Sequence, residues 1–157
     1  SAAQRRPFQK FEWSHFGTGA LKPELERMAK DLPGNVVVRF AGYSTQSDLF
    51  NYYRENSVDV FMNVSESEGT SVAVMEAVSC GIPVIATAVG GNKEIVSERN
   101  GHLLPANPLP DEIADTLLHH WDAPGAKRSG SQVMWRERYN ADENFSAFVR
   151  HLVKLRA

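Results

Sequence analysis

One stretch in the middle of the chain limits the folds that this sequence can adopt more than any other. Two short apolar runs, residues 58–64 and 83–88, lie on either side of a segment with helical periodicity, 71–80. Gly81 and Pro83 follow that segment. Because glycine accepts the left-handed conformation past a helix end and proline cannot continue the helix, they predict its end. Two strands joined by one helix form a βαβ unit with parallel strands.

The same alternation extends along the whole chain, which at 157 residues has the length of one domain. Further strands are predicted at 11–16, 35–40 and 100–104, and helices at 22–32, 47–56, 92–97, 109–121, 127–139 and 142–155. Ser44 or Thr45 offers a cap for the helix at 47–56. The continuous valines of 35–40 indicate a strand buried on both faces. This alternation predicts an α/β fold, a Rossmann-like, mainly parallel sheet with helices on both faces.

The loops that follow the strands are where a ligand is expected, because ligands bind outside the carboxyl ends of parallel strands. These loops are residues 17–19, 42–43, 65–71 and 89–94. The topology predicts that all four lie along one rim of the sheet.

The loop before the central helix carries the residues best suited to a phosphorylated sugar. Gly69, Thr70 and Ser71 open the helix, whose first backbone N–H groups lack an internal partner and attract phosphate or hydroxyl groups. Glu76 lies about five residues into the helix, and helical side chains lean back toward the N-terminus. Glu68 at the mouth can accept hydrogen bonds from a sugar ring, and Glu76 from two ribose hydroxyls. Taken singly, each glutamate is as well explained by a position facing solvent.

The order of these motifs resembles the C-terminal half of the retaining glycosyltransferases of GT-B fold, and most closely those that make capsular and O-antigen polysaccharides. Glu68 and Glu76 stand with seven residues between them. They are followed by Gly-x-Pro-Val-Ile-Ala at 81–86 and Gly-Gly-x-x-Glu at 90–94. Upstream, Trp-Ser-His-Phe-Gly-Thr-Gly at 13–19 resembles the family's strand and Gly-x-Gly loop. Phe-Ala-Gly-Tyr at 40–43 resembles the loop beside the nucleotide base, and the likeness runs from about residue 11 to about residue 120.

The resemblance implies a role for each matching residue. Glu68 is implied as the catalytic residue that contacts the transferred sugar, and Glu76 as the ligand of the ribose hydroxyls. The other implied donor-binding residues are Gly69, Thr70 and Ser71 for sugar hydroxyls and phosphate, Gly17 and Gly19 in the phosphate loop, and Tyr43 near the base.

The implied activity is retaining transfer of a hexose from a UDP- or GDP-sugar to a glycan or lipid-linked acceptor in polysaccharide biosynthesis. No metal and no other cofactor is expected, because helix dipoles and basic side chains can stabilise the leaving diphosphate. Two alternatives stay open. One is a non-catalytic sugar-nucleotide-binding module, and the other is a different GT-B enzyme such as a sugar-nucleotide epimerase.

Enzymes of this fold carry an N-terminal acceptor domain, for which this sequence has no room. We therefore expect one donor-binding domain over residues 1–157, half of a GT-B fold, truncated at its N-terminus and inactive without the acceptor domain. The net charge of -2 and a pI near 6.2 argue against nucleic-acid binding. A lone cysteine, Cys80, and no apolar leader favour a cytoplasmic protein. Peripheral contact with the inner face of the membrane, through the basic C-terminal helices, is an open alternative.

The histidines do not predict a metal site. His119 and His120 are adjacent on a helix, so their side chains point about 100° apart. His102 is expected at the surface, on a short edge strand entered through an Asn-Gly turn.

Overall fold

The structure is a computed structural model that describes residues 1–123 and 125–155, apart from the side chain of residue 126. The strands are β1 Phe11–Phe16, β2 Val36–Gly42, β3 Phe61–Asn63, β4 Val84–Thr87 and β5 Gly101–Leu104. The helices are α1 Ala2–Arg5, α2 Lys22–Ala29, α3 Gln46–Glu55, α4 Val72–Ser79, α5 Asn92–Ile95, α6 Pro110–Asp122, α7 Gly125–Met134 and α8 Ala141–Lys154, with a π-helix at Trp135–Tyr139.

The chain divides into two compact units. The first unit contains residues 1–57 and 109–118, and the second contains 58–108 and the residues from 119 onward, so α6 contributes to both. Each unit has its own sheet: β1 pairs with β2 in the first, and β4 lies between β3 and β5 in the second. Every pairing is parallel. The predicted α/β fold with mainly parallel strands is therefore confirmed.

The sheet of the first unit is half-covered. Burial alternates along β2, and Val37 is 50% exposed. The exposed side of the sheet also carries an ion pair, in which Arg39 Nε lies 2.8 Å from Glu12 Oε1. The prediction that residues 35–40 are buried on both faces is therefore wrong. Side chains alternate between the faces of a strand, and one of these faces remains open to solvent.

The second unit contains the buried core and confirms the predicted βαβ unit. All four residues of β4 are buried, and Val74, Ala77 and Val78 of α4 are completely buried. The helix ends where predicted: Gly81 has a φ of 73°, and its N–H donates to the carbonyl of Val78. Packing of α4 on β4 therefore positions the loop that precedes the helix.

The C-terminal region differs from the sequence prediction in one detail. The single helix predicted at 127–139 is an α-helix, α7, that continues as the π-helix Trp135–Tyr139. The rings of Trp135 and Tyr139 are stacked with centroids 6.1 Å apart, and the Tyr139 hydroxyl donates to the carbonyl of Glu94. Apolar periodicity cannot distinguish a wider turn of this kind from an α-helical one. Within the described ranges, no helix is both long and apolar enough to cross a membrane.

Candidate functional site

The loop between β3 and α4 folds back so that Glu68 lies at the N-terminus of α4. Asn63, the last residue of β3, places its side-chain Nδ2 at 3.4 Å from Glu68 Oε2 and at 3.4 Å from Ser71 Oγ. Ser71 is 3% exposed and caps α4, because its Oγ accepts the N–H of Val74 at 3.4 Å. One amide side chain therefore connects the carboxylate with the helix cap.

The two glutamates of the predicted site differ from their neighbour in the loop. Glu68 and Glu76 are both half-buried, whereas Glu66 is exposed. Glu76 lies on the second turn of α4, and Val74 and Ala77 on the same helix are completely buried. The structure therefore excludes a fully solvated position for either glutamate, and their role in ligand binding stays a prediction.

Gly69 and Thr70 leave the end of α4 accessible. Both residues are exposed. A Cβ atom added at Gly69 would meet no heavy atom within 4 Å, so the space beside this backbone is open. The helix begins at Val72 and runs to Ser79, and its first N–H groups carry partial positive charge. A ligand oxygen could approach the backbone of Gly69 and Thr70 closely, as predicted, whereas Ser71 is buried as the cap of the helix.

A second loop, between β4 and α5, is packed directly against the first. The N–H of Gly91 donates to the carbonyl of Gly69 at 2.7 Å, and Thr87 Oγ1 donates to the carbonyl of Ser65 at 2.6 Å. Gly90 has a φ of 45°, and a Cβ atom there would lie 1.8 Å from the carbonyl oxygen of Glu68. Only glycine fits at this position, because both its backbone conformation and the available space exclude a side chain.

Two asparagines support these loops, and sequence reasoning missed both. Asn63 is described above. Asn92 is completely buried, and its Nδ2 donates to the carbonyl of Thr87 at 3.1 Å. Its Oδ1 is buried without a hydrogen-bond partner within the described chain. An asparagine at a strand end and another after Gly-Gly are turn signals that could have drawn attention to them.

In the first unit, the loops after β1 and β2 also meet. The N–H of Gly17 donates to the carbonyl of Gly42 at 2.7 Å. Both glycines have positive φ, 131° at Gly17 and 76° at Gly42. Gly19 has open space around it, and Tyr43 is 79% exposed. The structure therefore brings the loops together in two pairs, one in each unit, and the alignment of all four along one rim stays a prediction.

Three histidines cluster in the second unit. The ring of His102 on β5 lies 5.4 Å from that of His119 and 5.6 Å from that of His120, measured between centroids. His102 is half-buried and its Nε2 is buried without a hydrogen-bond partner within residues 1–123 and 125–155. The prediction that His102 lies at the surface is wrong, because the end of α6 lies against this strand.

Burial also lowers the pKa of two histidines of this cluster, His102 and His120. Burial, followed by the nearby charge of Lys127, lowers the pKa of His102 to about 4. His120 is 1% exposed, its Nε2 lies 3.2 Å from the carbonyl oxygen of Asp59, and burial lowers its pKa as well. Within the residues that the structure describes, no group of three or more His, Cys, Asp or Glu side chains is arranged to hold a metal ion.

Comparisons with known proteins agree with these features. Residues 2–122 match the family model described as glycosyl transferases group 1. The chain is 38% identical over 126 residues to the D-inositol 3-phosphate glycosyltransferase of Frankia alni. That alignment covers 80% of this chain and 28% of the relative, so the chain spans less than a third of the relative's length.

Solved structures share the fold. Sucrose-phosphate synthase from Thermosynechococcus elongatus superposes with a TM-score of 0.71 at 22% identity, over 92% of this chain and 38% of that one. HepE from Anabaena, solved in complex with UDP-glucose, superposes with a TM-score of 0.68 at 22% identity, over 90% of this chain and 40% of that one. These neighbours are GT-B glycosyltransferases, which confirms the predicted Rossmann-like half of a GT-B fold.

Proposed function

Because the chain belongs to the group 1 glycosyltransferase family, we propose that it is the donor-binding domain of a retaining enzyme that transfers a hexose from a nucleoside diphosphate sugar. The observation that carries this proposal is the position of half-buried Glu68 beside the open N-terminus of α4, with Glu76 on the same helix. The two carboxylates and the helix end can serve a diphosphate that has a sugar at each end.

The diphosphate and its sugars are assigned to this end of α4. The backbone N–H groups of Gly69, Thr70 and Ser71 donate hydrogen bonds to phosphate oxygens or sugar hydroxyls, because the start of a helix favours negative charge. Glu76 accepts hydrogen bonds from the ribose hydroxyls. Glu68 contacts the transferred sugar and acts as the catalytic residue. The open space at Gly69 supports this assignment, since a side chain there would occupy the path of the ligand.

The loops of the first unit keep their predicted roles. We propose that Gly17 and Gly19, in a loop with open space at Gly19, serve phosphate groups and that the exposed ring of Tyr43 serves a nucleotide base. The leaving diphosphate carries the charge that develops during transfer, and preorganised N–H groups stabilise it without reorganising. We propose that no metal or other cofactor is required.

The acceptor is assigned to a part of the enzyme outside this sequence. The chain spans 28% of the Frankia relative, whose name indicates that it glycosylates D-inositol 3-phosphate. For the enzyme that contains the present chain we propose a cytoplasmic protein with an N-terminal acceptor domain and a glycan or lipid-linked acceptor in polysaccharide biosynthesis. We expect no transfer by residues 1–157 alone, because the proposed acceptor domain would supply the other half of the catalytic cleft.

Titration of the chain with UDP, UDP-glucose, GDP and GDP-mannose by calorimetry tests the donor site. We expect the chain to bind either UDP and UDP-glucose or GDP and GDP-mannose. Glu76→Ala should weaken binding of both compounds of that pair about tenfold or more, because a hydrogen-bonded carboxylate is lost. Glu66→Ala, which removes the same charge from an exposed position of the loop, is the matched control. Unchanged affinity in Glu76→Ala would contradict the ribose assignment, and no binding of any of the four compounds would contradict the donor site.

A further inference from the structure

Both the amide oxygen and the amide nitrogen of Asn63 make hydrogen bonds within the β3–α4 loop. Its Oδ1 accepts the backbone N–H of Ser65 at 3.4 Å, and its Nδ2 lies 3.4 Å from both Glu68 Oε2 and Ser71 Oγ. An amide nitrogen has two hydrogens, so it can donate to both oxygens at once. The orientation of the amide is set by Ser65, because an N–H requires the carbonyl end of the side chain.

The backbone and the carboxylate of Glu68 are held by different groups. Gly90 packs on the carbonyl of Glu68, and the N–H of Gly91 binds the next carbonyl, that of Gly69. These contacts fix the main chain but leave the side chain free to rotate. In the described part of the chain, the hydrogen bond that the Glu68 carboxylate receives comes from Asn63. At 3.4 Å this bond is long, and such contacts often shorten once a ligand is present.

We propose that Asn63 is a positioning residue that aims the Glu68 carboxylate at the transferred sugar and ties it to the cap of α4. The proposal rests on the donor site proposed above. Because Asn63 acts through Glu68, its loss should weaken the affinity for the sugar nucleotide. The affinity for the nucleotide without its sugar should stay the same. A residue that only supported the fold would change both.

The experiment compares a sugar nucleotide with its nucleotide, UDP-glucose with UDP or GDP-mannose with GDP, for whichever pair the unaltered chain binds. Asn63→Ala should lower the affinity for the sugar nucleotide about fivefold, as expected for the loss of one typical hydrogen bond, and change the affinity for the nucleotide less than about twofold. Asn63→Asp, which replaces the amide donor by an anion, should lower the affinity for the sugar nucleotide further. Asn51→Asp adds the same charge on the exposed surface of α3 and serves as the control.

A double-mutant cycle separates action through Glu68 from a structural effect. In a Glu68→Ala background, Asn63→Ala should no longer change the affinity for the sugar nucleotide, because the carboxylate that it positions is absent. Equal losses in the two backgrounds would overturn the proposal.

A second measurement does not depend on ligand binding. In the ligand-free chain, Glu68→Ala should shift the side-chain amide resonance of Asn63 in a ¹H–¹⁵N NMR spectrum. An unmoved resonance would overturn the positioning role even if donor binding is observed. Absence of donor binding together with a shifted resonance would instead show that the proposed function has failed while the contact between the two side chains exists.

Discussion

The two units of the chain bury their strands to very different extents. No residue of β1 or β2 is fully buried, and the buried apolar residues of the first unit are alanines, Ala2, Ala3 and Ala114, among those described. In the second unit β4 is buried from end to end, and α4 adds three completely buried side chains. Since burial of apolar area is the main stabilising contribution, we expect the second unit, which contains the fully buried side chains, to be the more sensitive to loss of apolar groups.

Individual glycines of the two units also differ in how closely neighbouring atoms approach them. Gly19 and Gly42 in the first unit have open space where a Cβ atom would lie. In the second unit, a Cβ atom would lie 1.8 Å from the Glu68 carbonyl oxygen at Gly90 and 2.0 Å from the Val84 carbonyl oxygen at Gly101. Glycine therefore permits a turn at Gly42 and close backbone packing at Gly90 and Gly101. The loop carrying Glu68 is therefore packed closely against Gly90 and Gly91 of its own unit.

The largest effect is expected from Gly90→Ala. The new methyl group would overlap the Glu68 carbonyl, and the φ of 45° is unfavourable for alanine. We expect the free energy of unfolding to fall by about 3 kcal/mol or more, measured by urea denaturation. Gly69→Ala, which has open space, should change it by less than about 0.5 kcal/mol while weakening donor binding. Similar stability losses for the two variants would contradict the packing argument.

A smaller effect is expected when the same valine substitution is made in each sheet. Val84 on β4 is completely buried, whereas Val37 on β2 is 50% exposed. Val84→Ala should lower the free energy of unfolding by about 2 kcal/mol, because two buried methyl groups are lost and a cavity remains. Val37→Ala should lower it by less than about 1 kcal/mol. Equal losses would show that the two sheets contribute alike, and the comparison would fail.

The smallest effect near neutral pH is expected at His102. Because burial lowers its folded pKa to about 4, the unfolded state binds the proton more tightly. The stability contribution is complete above pH 6.5, the ordinary histidine value, and is lost progressively as the pH falls toward 4. His102→Gln should therefore flatten the decrease of unfolding free energy over this interval, measured by denaturation at several pH values.

Leu103→Gln is the matched control for that experiment, because it introduces the same side chain on β5 at a position 41% exposed and keeps all histidines. The groups around His102 are His119, His120 and Lys127, and those around His120 include Asp59 and Arg128. All of them are unchanged in both variants. If His102→Gln retains the full pH dependence, the decrease in stability originates elsewhere in the unit.

Local signals in the sequence were enough to predict most elements. The strand at 11–16 has the predicted bounds. Of the two candidate caps, Ser44 and Thr45, it is Thr45 that caps α3, since its hydroxyl accepts the N–H of Asp48 at 3.2 Å. Besides the π-helix, the features predicted wrongly are burial of both faces of β2 and exposure of His102. Both depend on which neighbours cover a surface, and a periodic pattern contains no information about those neighbours.

The candidate site separates into a local part and a tertiary part. The helix N-terminus and the spacing of Glu68 and Glu76 follow from the sequence alone, because a strand exit, a cap and a helical period are properties of consecutive residues. Contact between the two loops joins residues 22 positions apart, as between Thr87 and Ser65. Only the tertiary structure decided that Gly90 packs on Glu68, because that contact requires β3 and β4 to be paired. The hydrogen bond from Asn63 to Glu68 likewise required the loop to fold back on the strand.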